Sequence, residues 1–256
     1  MSELPVLHVV ATPIGNLEDI TYRAVRVLRE VDALACEDTR HTRILLEHYD
    51  IARPRHLIAY HNYNESPAAE RILSLLREGC RVALCTNAGC PSISDPGYTI
   101  VSRTLDAGFR VEVIPGASAV QTALVASGLP ASTYTFKGFP PRRPGRRKTF
   151  LAMEAEAPHS LVFFEAPSRL ARFLGEALEV LGDRQAAVCS ELTKRFERVQ
   201  RGLLSELRSR FAEGVARGEF TIVIAGRHPK FMADSEDERR PAEAAPGESV
   251  AGPVEP

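Results

Sequence analysis

The amino-acid sequence predicts an α/β protein with a parallel sheet in a first domain and a mixed sheet in a second. In the first half of the chain, short apolar runs alternate with segments of helical periodicity, which is typical of a parallel sheet covered by helices on both faces. In the second half, strand-like runs follow one another more closely, which favours mixed or antiparallel pairing. The chain has 256 residues, enough for two domains of about 110–130 residues that each bury a core. We therefore expect domains at residues 1–117 and 118–228.

The first domain contains five candidate strands with helical segments between them. The strand candidates are short runs rich in β-branched or apolar residues, at 7–12, 33–36, 57–60, 82–86 and 111–114. After the first run, a helix with one buried face is predicted from apolar side chains at helical spacing: Ile20, Ala24, Val27, Leu28 and Val31. A later helix is predicted to be capped by Ser66, to carry Pro67 in its first turn and to end at Gly79.

The second domain is predicted to open with a helix near residues 118–127 and to continue with five candidate strands. These strands are expected at 134–139, 161–164, 186–190, 197–201 and 220–225. Further helices are expected up to about residue 157 and over 168–181 and 203–215. Only a short polar turn separates 186–190 from 197–201, so we expect these two strands to pair.

The final segment, residues 229–256, differs in composition from the rest of the chain. It holds seven of the 33 acidic residues of the protein but only three of the 32 lysines and arginines. The net charge of the preceding residues is therefore slightly positive. Proline, alanine, glycine and acids dominate it, and such a segment cannot bury enough surface to offset its ordering entropy. We expect an acidic, disordered tail.

The cysteines and the hydropathy pattern exclude several protein classes. The five cysteines form no CxxC pair and their number is odd, which argues against a secreted disulfide scaffold. Their spacing matches no zinc pattern, so no metal site is predicted. Apolar runs stay well below about 18 residues, and residues 1–12 lack the pattern of a signal peptide. The sequence therefore predicts a cytoplasmic protein with reduced thiols and no membrane partner.

Three loops rich in small residues and proline follow strand candidates, at residues 12–16, 87–91 and 115–119. In open α/β sheets, ligands bind beyond the carboxyl ends of the strands, where small residues let backbone amides approach them closely. None of the three loops is a GxGxxG or a GxxxxGK[ST] motif, which argues against dinucleotides and nucleoside triphosphates. Taken singly, each loop favours an ordinary strand-to-helix turn, and Ser118 can cap the helix that follows the third; the three loops together are equally consistent with a ligand site.

A cluster of basic residues in the second domain suggests contact with a nucleic acid. It places five cations within seven residues, without an acid, in a stretch rich in proline and glycine that we expect to be a loop: Arg142, Arg143, Arg146, Arg147 and Lys148. Phe136 and Phe139 precede it, and cations with neighbouring aromatic rings suit phosphates and stacked bases. The alternative is a solvated basic loop without a ligand.

Six segments resemble a known family in their order and spacing. They are TPIGNLEDIT (12–21), EDTRHTRILL (37–46), AGCPSISDPGY (88–98), PGASA (115–119), FFEAPSR (163–169) and SELTK (190–194). Over roughly residues 7–226 the chain resembles the bacterial ribosomal RNA ribose methyltransferases of the tetrapyrrole methylase superfamily. The resemblance implies S-adenosylmethionine bound in a cleft between two α/β domains, and a homodimer. It also implies 2′-O-methylation of a cytidine in 16S ribosomal RNA, as free RNA or in the 30S particle.

The resemblance also assigns residues to the cofactor cleft. These are Pro13, Asn87, Ala88, Ile93, Ser118, Ala119, Phe164 and Leu192. Two positions depart from the family pattern, because Asn87 replaces an acidic residue and Cys90 replaces a threonine. Asn87 keeps a hydrogen-bonding group of the same shape but lacks the charge. For Ile93, Phe164 and Leu192 the alternative is core packing.

Methyl transfer to a hydroxyl requires in-line positioning and removal of a proton. The predicted catalytic residues are Lys194, Glu191 and Asp38, and Glu37 and Glu165 are further candidates for proton removal. Two alternatives remain open: Asp38 caps a helix, and Glu191 and Lys194 form a surface ion pair.

The first domain adds a second group of possible phosphate contacts. Arg40 and Arg43, which flank His41, are predicted to bind RNA phosphates. Two other functions also remain open for the whole chain. One is methylation of a tetrapyrrole or another small molecule, and the other is RNA binding without catalysis.

Overall fold

The computed structural model describes residues 5–212 and 218–232, and within them two five-stranded sheets lie one after the other along the chain. The strands of the first sheet are β1 (Val6–Val10), β2 (Ala33–Cys36), β3 (His56–Ala59), β4 (Val82–Cys85) and β5 (Arg110–Ile114). All are parallel, in the order β3-β2-β4-β1-β5. The predicted parallel sheet is confirmed, and the carboxyl ends of its strands share one edge.

Helices cover both faces of the first sheet. They are α1 (Tyr22–Glu30), α2 (Thr39–His48), α3 (Glu65–Arg77) and α4 (Tyr98–Asp106). Ile72 and Ile100 of α3 and α4 enter the core on one face, and Leu28 and Leu45 of α1 and α2 enter the core on the other. The predicted helix with a buried stripe is confirmed in α1, where Thr21 caps the first turn.

The start of α3 differs from the sequence prediction. The helix begins at Glu65, so Ser66 lies inside its first turn instead of capping it. The side chain of Asn64 accepts a hydrogen bond from the backbone of His61 at 2.8 Å and stabilises the turn before the helix. The end is as predicted, because Gly79 adopts the left-handed conformation (φ +85°) just beyond the last turn.

The second sheet is mixed, as predicted. Its strands are β6 (Tyr134–Phe136), β7 (Ser160–Glu165), β8 (Gln185–Ser190), β9 (Arg198–Leu203) and β10 (Phe220–Ile224). Their order is β6-β7-β10-β8-β9, with β6 and β7 parallel and the other neighbours antiparallel. The pairing expected between the strand candidates at 186–190 and 197–201 is therefore present as β8 and β9.

The second sheet is also covered on both faces. The helices are α5 (Ala119–Ser127), α6 (Pro144–Ala152), α7 (Leu170–Leu181) and α8 (Leu204–Ala212). The last three pack on one face around Phe163 and Phe173. On the other face, Val120 and Leu124 of α5 pack together with Ile14 from the first loop of the chain. This shared cluster joins the two halves of the described structure.

Two sequence expectations for the second half, a basic loop and an acidic tail, differ in part from the structure. The basic stretch expected as a loop is partly helical, because α6 begins at Pro144, and proline is well tolerated in the first turn of a helix. Of the expected acidic tail, Pro229–Phe231 form a single 3₁₀ turn and Met232 bridges to Arg184. Residues 233–256 lie outside the described residues. Among the described helices, none has the length and apolar character needed to cross a membrane.

Candidate active site

The loops that leave the parallel sheet meet the second sheet at a cleft of about 470 Å³. Reciprocal backbone hydrogen bonds between Thr12 and Gly89, at 2.9 and 3.1 Å, tie the first loop to the second. The third loop leads into α5, where the hydroxyl of Ser118 accepts from the backbone of Gln121 at 3.5 Å. Ser118 thus caps the helix, as the sequence suggested, and also lines the cleft.

Seven of the eight residues assigned to the cofactor line this one cleft. They are Asn87, Ala88, Ile93, Ser118, Ala119, Phe164 and Leu192. The eighth, Pro13, lines an adjoining hollow of about 300 Å³, and the two cavities share Ile14, Asn87, Ala88 and Glu219. The core-packing alternative also applies to Leu192, which is buried in the shared cluster, but Ile93 is 51% exposed. The fold therefore brings together residues that are far apart in the sequence.

The cleft is acidic. Among the described lining residues, four carry carboxyl groups and none is a lysine, arginine or histidine: Glu37, Asp95, Glu165 and Glu219. A concave site lined by charges of one sign attracts ligands of the opposite sign. The cleft therefore suits a ligand that carries positive charge and disfavours a phosphate group.

Asp95 is the functional candidate that the sequence interpretation missed. Burial, together with the negative charges of Glu37 and Glu219, raises the pKa of its carboxyl group to about 6. In the described structure no side chain or backbone group donates a hydrogen bond to it. Its loop is strained, because Ser92 and Ser94 adopt left-handed conformations (φ 72° and 66°). The Asp-Pro-Gly signature predicts only a turn, so the sequence contained no signal for this environment.

Two buried polar atoms at the cleft have no hydrogen-bond partner within the described structure. They are Oε2 of Glu165 and Oδ1 of Asn87, and both residues line the cleft. The backbone N–H of Asn87 donates to Glu37 at 3.3 Å, whereas its side-chain oxygen accepts no hydrogen bond within the described structure. Buried acceptors without partners are costly, so each of these two oxygens would be stabilised by a hydrogen-bond donor.

Lys194 and Glu191, two of the predicted catalytic residues, form an ion pair at the edge of the cleft. The ammonium group of Lys194 lies 3.2 Å from Glu191 and 2.9 Å from Glu219, and it lines the adjoining hollow beside His41. Burial lowers the pKa of Lys194, but its hydrogen bonds to the two carboxylates outweigh this effect and raise the pKa above its usual value. Burial raises the pKa of Glu191, but hydrogen bonds from the backbone of Glu219 and from Lys194 bring it below its usual value. Both groups are therefore charged at neutral pH, which fits electrostatic positioning better than proton removal.

The prediction that Asp38 is catalytic requires a correction. Its carboxylate accepts from the backbone of Arg40 at 2.8 Å and pairs with the guanidinium of the same residue, so it caps α2. Hydrogen bonds from Arg40 lower the pKa of Asp38 well below its usual range. Asp38 lines neither cavity, and the capping alternative is the one that the structure supports. Arg40 is thereby partly engaged, whereas the side chain of Arg43 is exposed on the same helix.

The basic cluster divides into exposed and engaged side chains. Arg142, Arg143 and Arg146 are exposed, and their side chains make no ion pair within the described part of the chain. Lys148 pairs with Glu179 at 2.6 Å on the surface. The prediction that Arg147 contacts RNA is wrong, because its side chain is only 1% exposed and binds Glu176 through two hydrogen bonds of 2.5 and 2.8 Å. Its role is to attach α6 to α7.

Known proteins are similar to this chain in sequence and in fold. A family model described as Tetrapyrrole (Corrin/Porphyrin) Methylases matches residues 6–208. The chain is 44% identical to a protein of Halalkalibacterium halodurans named ribosomal RNA small subunit methyltransferase I. The alignment covers 88% of this chain and 77% of the relative. The protein of that name in Thermotoga maritima is 43% identical over 86% of this chain and 98% of the relative.

Solved structures agree in fold at much lower identity. The methyltransferase CobJ superposes with a TM-score of 0.67 at 17% identity, covering 87% of this chain and 95% of that structure. The cobalt precorrin-4 methyltransferase CbiF gives a TM-score of 0.64 at 18% identity, over 86% of this chain and 94% of that structure. The chain therefore belongs to the tetrapyrrole methylase family and is a methyltransferase.

Proposed function

We propose that this protein transfers a methyl group from S-adenosylmethionine to the ribose 2′-hydroxyl of a cytidine in small-subunit ribosomal RNA. The observation that carries the proposal is the acidic cleft, which adjoins a hollow that contains the basic side chains of Lys194 and His41. A cationic methyl donor fits the first cavity, and a nucleotide fits the entrance through the second. The relatives named as ribosomal RNA methyltransferases support the choice of RNA over a tetrapyrrole.

The residues of the cleft fit the proposed cofactor. The cavity of about 470 Å³ lies within the size range of small-molecule sites, about 300–1,000 Å³. Its apolar walls, which include Phe164 and Leu192, suit a flat heteroaromatic ring, and the side-chain oxygen of Asn87 has no partner within the described structure. The departure at Asn87 therefore removes a charge but keeps an acceptor, and the four carboxyl groups that line the cleft remain to balance the positive charge of the donor.

When bound, S-adenosylmethionine would supply a methyl group attached to a positively charged sulfur. The sulfur is the leaving group when an oxygen nucleophile attacks the methyl carbon in line. The proton of the ribose hydroxyl then needs an acceptor within the cleft. Asp95 fits this role, because no group in the described structure donates a hydrogen bond to its carboxylate. Its pKa of about 6 also leaves it ionised at neutral pH. Lys194, held by Glu191 and Glu219, remains protonated and orients the nucleotide.

Exposed cations near the cleft support an RNA substrate. Phe139, which lines the cleft and is 56% exposed, lies at the start of the segment that carries Arg142, Arg143 and Arg146. Its ring packs against Phe164 with a centroid distance of 5.5 Å. An RNA strand that follows these arginines is thereby led to the mouth of the cleft. Arg43, which is exposed on α2, extends the proposed phosphate contacts to a helix that covers the first sheet.

Two further proposals rest on the resemblance: a homodimer, and the 30S particle or its RNA as the partner. Two others rest on the sequence pattern: a domain boundary near residue 117, and a cytoplasmic location inferred from the cysteines. Sedimentation of the purified protein tests the first of these.

The direct test is nucleoside analysis after methylation with labelled cofactor. Unmethylated small subunits and free 16S RNA are incubated separately with the protein, and the RNA is digested to nucleosides for mass spectrometry. We expect the label on the ribose of cytidine. A label on a base would overturn the reaction, and cofactor binding without transfer to either substrate would favour a small-molecule substrate. Absence of cofactor binding at millimolar concentration would favour the non-catalytic RNA-binding alternative.

A further inference from the structure

Gly15, in the first loop of the chain, lies in close contact with the side chain of Lys194 from the second half. A Cβ atom added at Gly15 would overlap Cγ of Lys194, and it would lie 3.0 Å from Cε of that side chain and 3.0 Å from the carbonyl oxygen of Leu192. The φ of Gly15 lies outside the left-handed region, so its backbone conformation does not by itself require glycine. Glycine is therefore needed at this position for space.

The glycine of the neighbouring loop has the opposite requirement. Gly89 adopts the left-handed conformation (φ +76°), and the nearest atom to a Cβ added there is Cγ2 of Ile14, at an ordinary contact distance of 3.7 Å. Gly89 is therefore needed for its conformation, whereas the close approach of a side chain distinguishes Gly15.

A compact turn after β8 holds the backbone that carries Lys194. Glu191 and Thr193 adopt left-handed conformations (φ 51° and 66°). The backbone N–H of Thr193 donates to the carboxylate of Glu197 at 2.6 Å, and that of Lys194 donates to the carbonyl oxygen of Glu191 at 3.0 Å. Because the turn fixes the base of the lysine side chain, the path of its aliphatic stem decides where the ammonium group lies.

Contacts at both ends of the side chain set this path. The stem of Lys194 rests on Gly15, and the ammonium group lies 3.2 Å from Glu191 and 2.9 Å from Glu219. On one side Gly15 and Lys194 line the hollow together with His41, and on the other side they line an open groove of about 700 Å³. A stem displaced from Gly15 has room to move into this groove, away from the hollow.

A displacement of the ammonium group matters because the reaction depends on alignment. Methyl transfer needs the attacking oxygen in line with the methyl carbon and the sulfur, and a misplacement of about 1 Å costs about 10²-fold in rate. Lysine has a flexible stem, so the position of its charge depends on what the stem packs against. Neither Gly15 nor Lys194 is among the described residues that line the donor cleft, so a shift of Lys194 acts on the acceptor.

We propose that Gly15 is a positioning residue for methyl transfer: the space left by its missing side chain seats the stem of Lys194, and this directs the ammonium group into the hollow that receives the acceptor nucleotide. The inference rests on the proposed function, because it takes the hollow as the acceptor site. Gly15 thus acts through Lys194 and not by direct contact with the methyl donor.

A double-mutant cycle on the full-length protein tests this coupling. Gly15→Ala and Lys194→Ala are each expected to lower kcat/KM for the RNA by about tenfold or more, with the affinity for S-adenosylmethionine changed by less than about threefold. In the Lys194→Ala background, Gly15→Ala should cost less than about twofold, because no stem remains to be displaced. Gly175→Ala in α7, where the nearest atom to an added Cβ lies at 3.4 Å, is the control and should keep the wild-type activity.

Two outcomes of the cycle would overturn the proposal. If Gly15→Ala lowers activity by the same factor in both backgrounds, the need for glycine comes from the loop itself or from the contact with Leu192. If either Gly15→Ala or Lys194→Ala retains full activity, the position of the lysine does not control the reaction.

Nuclear magnetic resonance locates Lys194 without RNA or catalysis. Reductive methylation with ¹³C-formaldehyde labels the lysines and retains their charge, and Lys194→Ala identifies the signal of interest. Burial lowers the pKa of Lys194, but hydrogen bonds to the two carboxylates outweigh this effect and hold the pKa above its usual value. In Gly15→Ala the titration midpoint of Lys194 should therefore fall towards the usual value, while the other lysines keep theirs.

This measurement separates the inference from the proposed function. An unchanged midpoint for Lys194 in Gly15→Ala would show that the stem stays in place, and it would overturn the proposal whether or not RNA is methylated. If the midpoint falls but the wild-type protein methylates neither free RNA nor the small subunit, the seat for Lys194 is correct and the proposed function is what fails.

Discussion

At the scale of single residues, the environment assigns different roles to carboxyl groups that look alike in the sequence. Asp38 and Asp95 both follow strands of the parallel sheet. The pKa of Asp38 is lowered by hydrogen bonds from Arg40, and the carboxylate caps the N-terminus of α2. The pKa of Asp95 is raised to about 6, principally by burial. Only Asp95 lines the cleft, so its raised pKa, and not the lowered pKa of Asp38, marks a candidate proton acceptor there.

The proposed role of Asp95 predicts a dependence of the rate on pH. Only the ionised carboxylate accepts a proton, so the rate of methyl transfer should decline as the pH falls through about 6, where the group becomes protonated. Asp95→Asn should lower kcat by about 10²–10⁴-fold, the usual contribution of a general base, and should change cofactor affinity much less. Stopped assays with labelled cofactor between pH 5 and pH 8 measure both effects.

The control is Asp106→Asn, which changes an exposed aspartate at the end of α4, outside the cleft. This variant should keep the wild-type rate and pH profile. A fully active Asp95→Asn enzyme, or one that retains the decline near pH 6, would assign proton removal to another group.

At the scale of secondary-structure elements, α6 shows how a helix separates cations into two roles. Arg146 and Arg147 are adjacent in sequence, but successive positions on a helix point in different directions. Arg147 therefore faces α7 and pairs with Glu176, while Arg146 faces solvent with Arg142 and Arg143 of the preceding turn. Removing one partner of a buried pair costs about 3–5 kcal/mol, so Arg147 contributes to folding and not to RNA binding.

The three exposed arginines predict the salt dependence of RNA binding. For single-stranded RNA, each phosphate contact contributes about −0.7 to the slope of log affinity against log salt. The triple variant Arg142→Ala, Arg143→Ala and Arg146→Ala should therefore flatten the slope by about 2. Fluorescence anisotropy with a labelled RNA fragment at several salt concentrations gives the slope directly.

A matched triple variant distinguishes local contact from a change in overall charge. Arg53→Ala, Arg55→Ala and Arg77→Ala remove the same charge at the opposite edge of the parallel sheet, at the beginning of β3 and the end of α3. We expect this variant to keep most of the wild-type slope. If the two triple variants flatten the slope equally, the segment before α6 is not the RNA contact.

At the scale of the whole molecule, the cleft is built from both sheets. The loops after β1 and β4 and the start of α5 supply one wall, while the ends of β7 and β8 and the start of β10 supply the other. Ile14 inserts into the core of the second sheet, so the two walls also share a hydrophobic cluster. A ligand in this position contacts both halves, and its binding free energy stabilises them together.

Hydrogen exchange of the intact protein tests this arrangement. Saturating S-adenosylmethionine should slow exchange in peptides that cover residues 87–95 and in peptides that cover 164–167, because both segments line the cleft. Peptides at 53–56 and 181–185, at the opposite ends of the two sheets, should be unaffected. Protection confined to one half would show that the ligand does not bridge the two sheets.

Much of the fold was predictable from local sequence. The alternation of apolar runs and helical periodicity predicted the parallel sheet, and the apolar stripe of α1 predicted its buried face. The six family segments predicted the tetrapyrrole methylase family, which is confirmed. These inferences succeed because periodicity, capping and short motifs are properties of neighbouring residues. The helix α4 was not located from its periodicity, since only Ile100 and Thr104 of its residues are buried.

The chemistry of individual side chains was decided by the tertiary structure. The sequence grouped Arg147 with four other cations, but its partner Glu176 lies 29 residues away. The sequence assigned Asp95 no role, whereas burial and the carboxylates of Glu37 and Glu219 set its pKa in the folded chain. The free oxygen of Glu165 likewise depends on Arg169 and on the position of β7 in the sheet. Burial and charge pairing depend on residues that are distant in sequence, and only the folded chain brings them within reach of one another.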